Sequence, residues 1–137
     1  MRGTYTLTPR RTGVTTPLHP LDDGTGRLEV GDVTVPLKIA ASLRARTRGL
    51  LGHNSFTGAL LLTPAKSVHT FGMRIPIDIA YLDRHLWVVD LHRMKPHRIG
   101  RPRVHAHHVL EAEAGSFARW GVAVGLQLGL SSAVSGG

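Results

Sequence analysis

The stretch Val68–Asp83, VHTFGMRIPIDIAYLD, decides the fold class. In its second half Ile75, Ile77, Ile79 and Tyr81 alternate with Pro76, Asp78, Ala80 and Leu82. A period of two puts the first set on one face of an extended chain. Isoleucine and tyrosine at that spacing predict a strand packed on a core. Asp78 is the exception. A carboxylate among apolar neighbours must find a partner, stay wetted or keep its proton. Just upstream stand His69, Thr70, Met73 and Arg74.

Working outward, Asp83-Arg84-His85 predicts a tight connection into a second strand, Leu86 to Met94, so the two form a hairpin. On the N-terminal side, Ala59 to Thr63 predicts a short apolar strand broken by Pro64. Before it, Ser42 caps a helix reaching Leu51, with Gly52 as its stop and Arg44, Arg46 and Arg48 off its apolar face. Arg27 to Ile39 predicts a hairpin turning at Gly31-Asp32. On the C-terminal side, Pro96 and Pro102 bracket a basic loop without regular structure. Val104 to Ala114 then predicts a strand, Ser116 to Gly121 one or two helical turns, and Val122 to Leu130 a final alternating strand.

The sum is a mainly β (β-rich α+β) domain: a small, mostly antiparallel curled sheet or barrel of six or seven strands with two short helices. Residues 1–26, rich in Thr, Pro, Gly and Arg, are expected to be a flexible arm, 27–131 a single domain and 132–137 a flexible tail.

The bulk numbers bound the function. At 137 residues with 42% hydrophobic and 19% charged content, the chain is one domain long and composed to fold. The net charge of +8 favours anionic partners: nucleic acid, anionic lipid, or phosphorylated and acidic small molecules. With no cysteine, thiol nucleophiles, disulfides and cysteine-ligated zinc are excluded. Neither a signal-peptide core nor a stretch approaching ~20 apolar residues is visible, so the expectation is a soluble, cytoplasmic protein. No P-loop, dinucleotide fingerprint or nucleophile elbow stands in the chain, and no cofactor is expected.

Three groups of residues carry candidate chemistry. His69, Arg74 and Asp78, with Arg48 as a fourth, could hold a phosphate or carboxylate. Within that group Asp78 orienting His69 as a general base makes these two the catalytic candidates. The plainer reading is architectural: Asp78 pairs with Arg48 or Arg74 and ties a helix to the sheet. Second, His105 and His107 share a face of the predicted strand and are the metal candidates, though two ligands are too few for a structural zinc site. Third, the run from Arg84 to His108 holds Arg93, Lys95, Arg98, Arg101 and Arg103, with six histidines and only Asp90 opposing. These cations could line a polyanion-binding edge or simply form a solvated face. Glu111 and Glu113 share a strand face that is expected to be polar and outward.

Several of these signals recur together in a known order. Arg48-Gly49-Leu50-Leu51 comes first, then His69 to Asp78 with its Met-Arg-x-Pro-Ile-Asp core. Met94-Lys95-Pro96-His97-Arg98, Leu110-Glu111-Ala112-Glu113-Ala114-Gly115 and Gly121-Val122-Ala123-Val124-Gly125 follow. This order, over about residues 27–130, resembles domain-of-unknown-function family 192, an uncharacterised bacterial and archaeal family. Leu126 stands where the family usually has aspartate, and Ala65-Lys66-Ser67 lacks a cysteine that some members carry. The resemblance implies a β-rich fold and no particular reaction.

The leading expectation is a non-enzymatic binding or accessory module that offers a basic surface to an anionic small molecule or a protein partner. Two alternatives stand beside it: a hydrolase-like acid–base enzyme centred on His69, Arg74 and Asp78, and a non-specific nucleic-acid binder using the Arg84–His108 edge.

Overall fold

The computed structural model describes residues 23–41, 57–70 and 73–132. Seven strands form one sheet: β1 (Gly24–Val30), β2 (Val33–Ala40), β3 (Ala59–Leu62), β4 (Ile77–Leu82), β5 (Val88–Met94), β6 (His108–Glu113) and β7 (Gly129–Ser132). A five-residue helix, α1 (Ser116–Trp120), follows β6. The order across the sheet is β5-β4-β6-β3-β2-β1-β7.

All neighbouring pairs are antiparallel except β2 and β3, which run parallel. The sheet is therefore mixed. A parallel neighbour needs a crossover, and most of the connection from β2 to β3 lies outside the described residues. The helix predicted over Ser42–Leu51 falls in that stretch, as does nearly all of the expected arm.

The sheet curls without closing. Its edges approach at one corner, where Trp87 bridges Gln127, the Val88 amide donates to the Leu126 carbonyl (2.8 Å) and the Leu128 amide to that of Leu86 (2.9 Å). No continuous ladder joins β5 to β7, so the barrel expectation gives way to an open curled sheet.

The two faces explain the sequence pattern. One face buries Leu28, Val35, Leu61, Ala80, Leu82 and Leu110, and α1 closes over it with Phe117. The opposite face of the central strands buries Leu60, Ile77, Ile79, Tyr81 and Val109 under Val68, Met73 and Ala106 from two connecting segments. β4 is thus buried along its whole length, and both of its alternating sets are apolar for that reason, Asp78 excepted. β1 and β2, as far as Lys38, are covered on one face only and show simple alternation, with Leu28, Val30, Val35 and Leu37 inward and Arg27, Thr34 and Lys38 exposed.

Three boundaries differ from expectation. β1 begins at Gly24, inside the predicted turn cluster, and pairs with β2 from Gly24↔Ile39 onward. Gly26 belongs in a strand here because β7 passes close by: a Cβ would lie 2.9 Å from the Ser131 carbonyl oxygen. The predicted Val104–Ala114 strand begins only at His108, since the Ala106 amide closes a turn onto the Arg103 carbonyl (3.0 Å). Similarly, Val122–Leu128 is turn and bridge, and only Gly129 onward forms strand.

Candidate functional site

Asp78 lies on β4 and is 4% exposed. Its Oδ1 accepts from Nε of Arg93 at 2.8 Å. Its Oδ2 accepts from the amides of Gly115 (2.9 Å) and Phe117 (3.1 Å), at the start of α1. The first amides of a helix have no partner within it, and no side chain of α1 itself caps them. Asp78 fills that role from a neighbouring part of the sheet. Arg93 is placed for it by register, since Asp78 and Arg93 are directly opposed on β4 and β5. Asp78 is therefore buried, with both carboxylate oxygens engaged. The guanidinium on it comes from the adjacent strand, whereas the sequence suggested Arg48 or Arg74. Arg48 lies outside the described residues, and Arg74 is exposed at the entry to β4.

His69 occupies a different side of the molecule. Its neighbour Val68 packs on the face that holds Ile77, Ile79 and Tyr81, whereas Asp78 shares its strand face with Ala80 and Leu82. The sheet stands between the two. His69 is exposed and forms an isolated bridge with Ile99. That bridge brings the first predicted group to the third.

The hub of the junction is Thr70, which is fully buried. Its hydroxyl donates to the Lys95 carbonyl (2.7 Å) and accepts from the Arg98 amide (2.7 Å). Its own amide donates to the Arg98 carbonyl (2.7 Å), and its carbonyl accepts from the amides of His97 (2.7 Å) and Met73 (3.1 Å). Farther along, the Gly100 amide donates to Val68 and the Arg103 amide to Lys66. The basic loop predicted to be irregular is so, yet it is fixed at several points along the 66–70 segment.

The cations of this loop divide into two kinds. Arg93 is paired with Asp78, and Arg103 with Asp90 through an Nε–Oδ2 contact of 2.9 Å. Arg103 also lies 4.3 Å above the Tyr81 ring and donates to the Arg101 carbonyl. Lys95, Arg98 and Arg101 are exposed, and no carboxylate balances them among the described residues.

His105 stands in the turn before β6, so it does not share a strand face with His107. The His107 ring instead meets His108 edge to face, with centroids 4.7 Å apart. No cluster of three metal-ligating side chains occurs among the described residues. His108 places Nδ1 2.6 Å from the Thr63 hydroxyl, and burial, with His107 adding to it, lowers its pKa to about 4. Its ring is neutral at physiological pH.

Glu111 corrects a reading of the sequence. The face expected to be polar and outward is the second core face: Glu111 is 3% exposed, between Leu60 and Ile79 in the cross-strand register. Burial raises its carboxyl to about 8. The Tyr81 hydroxyl is buried on the same face without a hydrogen-bond partner among the described residues, and burial raises its pKa as well. No sequence signal marked these groups except their alternation, which does not say which side is covered.

The fold and site define a class: a single curled mixed sheet carrying a short helix capped from a strand, with a basic loop pinned to its flank. The family model for DUF192, described as "Uncharacterized ACR", matches residues 26–130. The chain belongs to that family. It is 31% identical over 84 residues to UPF0127 protein PH1112 of Pyrococcus horikoshii, a match covering 58% of this chain and 73% of that protein. Two solved structures are similar in fold. One, from Sinorhizobium meliloti and provisionally described as a transcription regulator, has a TM-score of 0.68 at 20% identity, covering 80% of this chain and 96% of that one. The other, a protein of unknown function from Novosphingobium aromaticivorans, has a TM-score of 0.61 at 16% identity, covering 85% and 89%. No helix among the described residues is long and apolar enough to cross a membrane.

Proposed function

We propose that this protein is a non-enzymatic binding module that offers the loop Lys95–Arg103 to an anionic ligand. One observation carries the reading. Thr70 holds the backbone of Lys95 to Arg98 by hydrogen bonds at both ends, while Lys95, Arg98 and Arg101 face solvent without balancing carboxylates among the described residues. A loop ordered before binding loses less freedom when an anion arrives, so its cations act together. The chain's net charge of +8 adds a field of the same sign.

The acid–base alternative has less support. Both oxygens of Asp78 are engaged by Arg93, Gly115 and Phe117, and the sheet separates that carboxylate from the His69 segment. For nucleic acid, the loop has cations but no Phe, Tyr or Trp to serve as a stacking platform.

The test is calorimetric titration with inorganic polyphosphate. Replacing Lys95, Arg98 and Arg101 together by Gln is expected to weaken binding by ~150-fold, taking each surface charge contact as about 1 kcal/mol. Equal affinity in wild type and triple variant would remove the loop from the site.

A further inference from the structure

The same loop, extended by one residue to Val104, carries two exposed aliphatic side chains that an anion site does not need. Ile99 is 72% exposed and Val104 75% exposed, the two most exposed of the large hydrophobic residues described. Single exposed aliphatics are ordinary on protein surfaces. Here both lie in one ten-residue stretch, KPHRIGRPRV, interleaved with the unbalanced cations.

The backbone geometry holds Ile99 out. Gly100 faces the sheet: a Cβ there would lie 3.0 Å from the Tyr81 hydroxyl and 3.1 Å from the Val68 carbonyl oxygen. In an extended segment neighbours alternate, so the residues on either side of Gly100, Ile99 and Arg101, both point away from the protein. The His69–Ile99 bridge and the Gly100-to-Val68 and Arg103-to-Lys66 hydrogen bonds keep that orientation. Ile99 cannot turn into the core, because Gly100 occupies the inward position.

We infer that the loop docks on an anionic membrane surface, with Lys95, Arg98 and Arg101 meeting lipid phosphates while Ile99 and Val104 enter the headgroup boundary. This inference rests on the anion-binding reading and names the partner for it. A free small anion would use the cations and leave both aliphatics in water. A nucleic acid would leave them likewise, and the loop has no Phe, Tyr or Trp as a stacking platform. Protein hot spots draw chiefly on Trp, Tyr and Arg, and Trp and Tyr are missing from the loop. A bilayer interface takes cations and aliphatics together, since charge attracts the segment and apolar burial retains it.

The experiment is co-sedimentation of the full chain with vesicles of phosphatidylcholine alone and of phosphatidylcholine with phosphatidylglycerol. Polyphosphate and polyglutamate titrations run alongside. Wild type should pellet with the phosphatidylglycerol vesicles at low salt and remain in solution with phosphatidylcholine. The variant Ile99→Ser/Val104→Ser should lose vesicle affinity by roughly tenfold or more while keeping polyphosphate affinity, since two partly inserted aliphatics contribute on that scale. Both side chains are exposed, so this variant retains its fold, which circular dichroism verifies. Polyphosphate binding without vesicle binding would overturn the membrane inference and leave the anion reading standing. Loss of both would overturn both. Vesicle binding that ignores the double substitution, or tighter binding to polyglutamate with the same dependence on Ile99 and Val104, would also overturn it, the latter in favour of an acidic protein.

Discussion

Asp78 and Glu111 are both carboxylates buried in the same sheet, and their surroundings differ. Asp78 has a guanidinium and two amides on its oxygens, so both oxygens have donors where they lie. Removing it leaves two helix-start amides and an arginine without their acceptor, and Asp78→Ala should cost ~3–5 kcal/mol in denaturant unfolding. Arg93→Gln should cost far less, ~1 kcal/mol or below, because the Arg93 side chain is 59% exposed and water can replace it. Equal costs would mean that the ion pair, and not the pair of amides, anchors the helix. Glu111 has only burial acting on it, which raises its pKa from 4.5 to about 8. The folded state then holds a proton that the unfolded state releases, so stability from this group is full below pH ~4.5 and lost as pH rises toward 8. Glu111→Gln keeps the shape without the proton equilibrium. The stability of the variant relative to wild type should therefore grow between those pH values, by a few kcal/mol in order of magnitude, as read from denaturation midpoints at successive pH. A pH-independent difference would show that Glu111 ionises normally in the fold. His108 works in the other sense: its depressed pKa makes wild-type stability rise from about pH 4 to its ordinary value near 6.5.

Among the elements, the basic loop and the edge strand owe their conformations to single side chains. Thr70→Val preserves shape and removes the hydroxyl that accepts from the Arg98 amide. The Arg98 amide should then exchange its hydrogen at least ~10-fold faster, in line with loss of one buried hydrogen bond, while β4 amides keep their protection. Unchanged exchange at Arg98 would mean that the backbone pairing alone holds the loop. At the sheet edge, the register slips between Tyr81 and Leu82, and the Asp90 carboxylate accepts from the Leu91 amide (2.9 Å). A bulge and a side-chain cap together blunt the edge of β5 against pairing with another chain. The β4–β5 hairpin was legible because Ile77, Ile79 and Tyr81 alternate with residues that are also buried. The final strand was not, because Val122 to Leu128 alternates in sequence while its backbone turns at Gly121 and Gly125. Likewise, alternation placed Glu111 and Glu113 on a common face correctly but carried no information on the Val68, Met73 and Ala106 cover above it.

At the scale of the whole molecule, charge and fold divide the work. Two apolar faces hold the sheet, and the sheet's own carboxylates neutralise Arg93 and Arg103. What remains at the loop is Lys95, Arg98 and Arg101, fixed in place and unbalanced. The sequence marked all five as one basic run; only register and pairing separate the structural two from the other three. Family membership adds the fold and no reaction, so the account rests on that separation. Its most direct test is the salt dependence of polyphosphate binding in wild type and in the Lys95→Gln/Arg98→Gln/Arg101→Gln variant. Three cations that each displace a counterion predict a wild-type slope of log affinity against log salt of about −2 to −3, falling close to zero in the variant. A slope that is the same in both proteins would contradict the claim that this loop is where the anion binds.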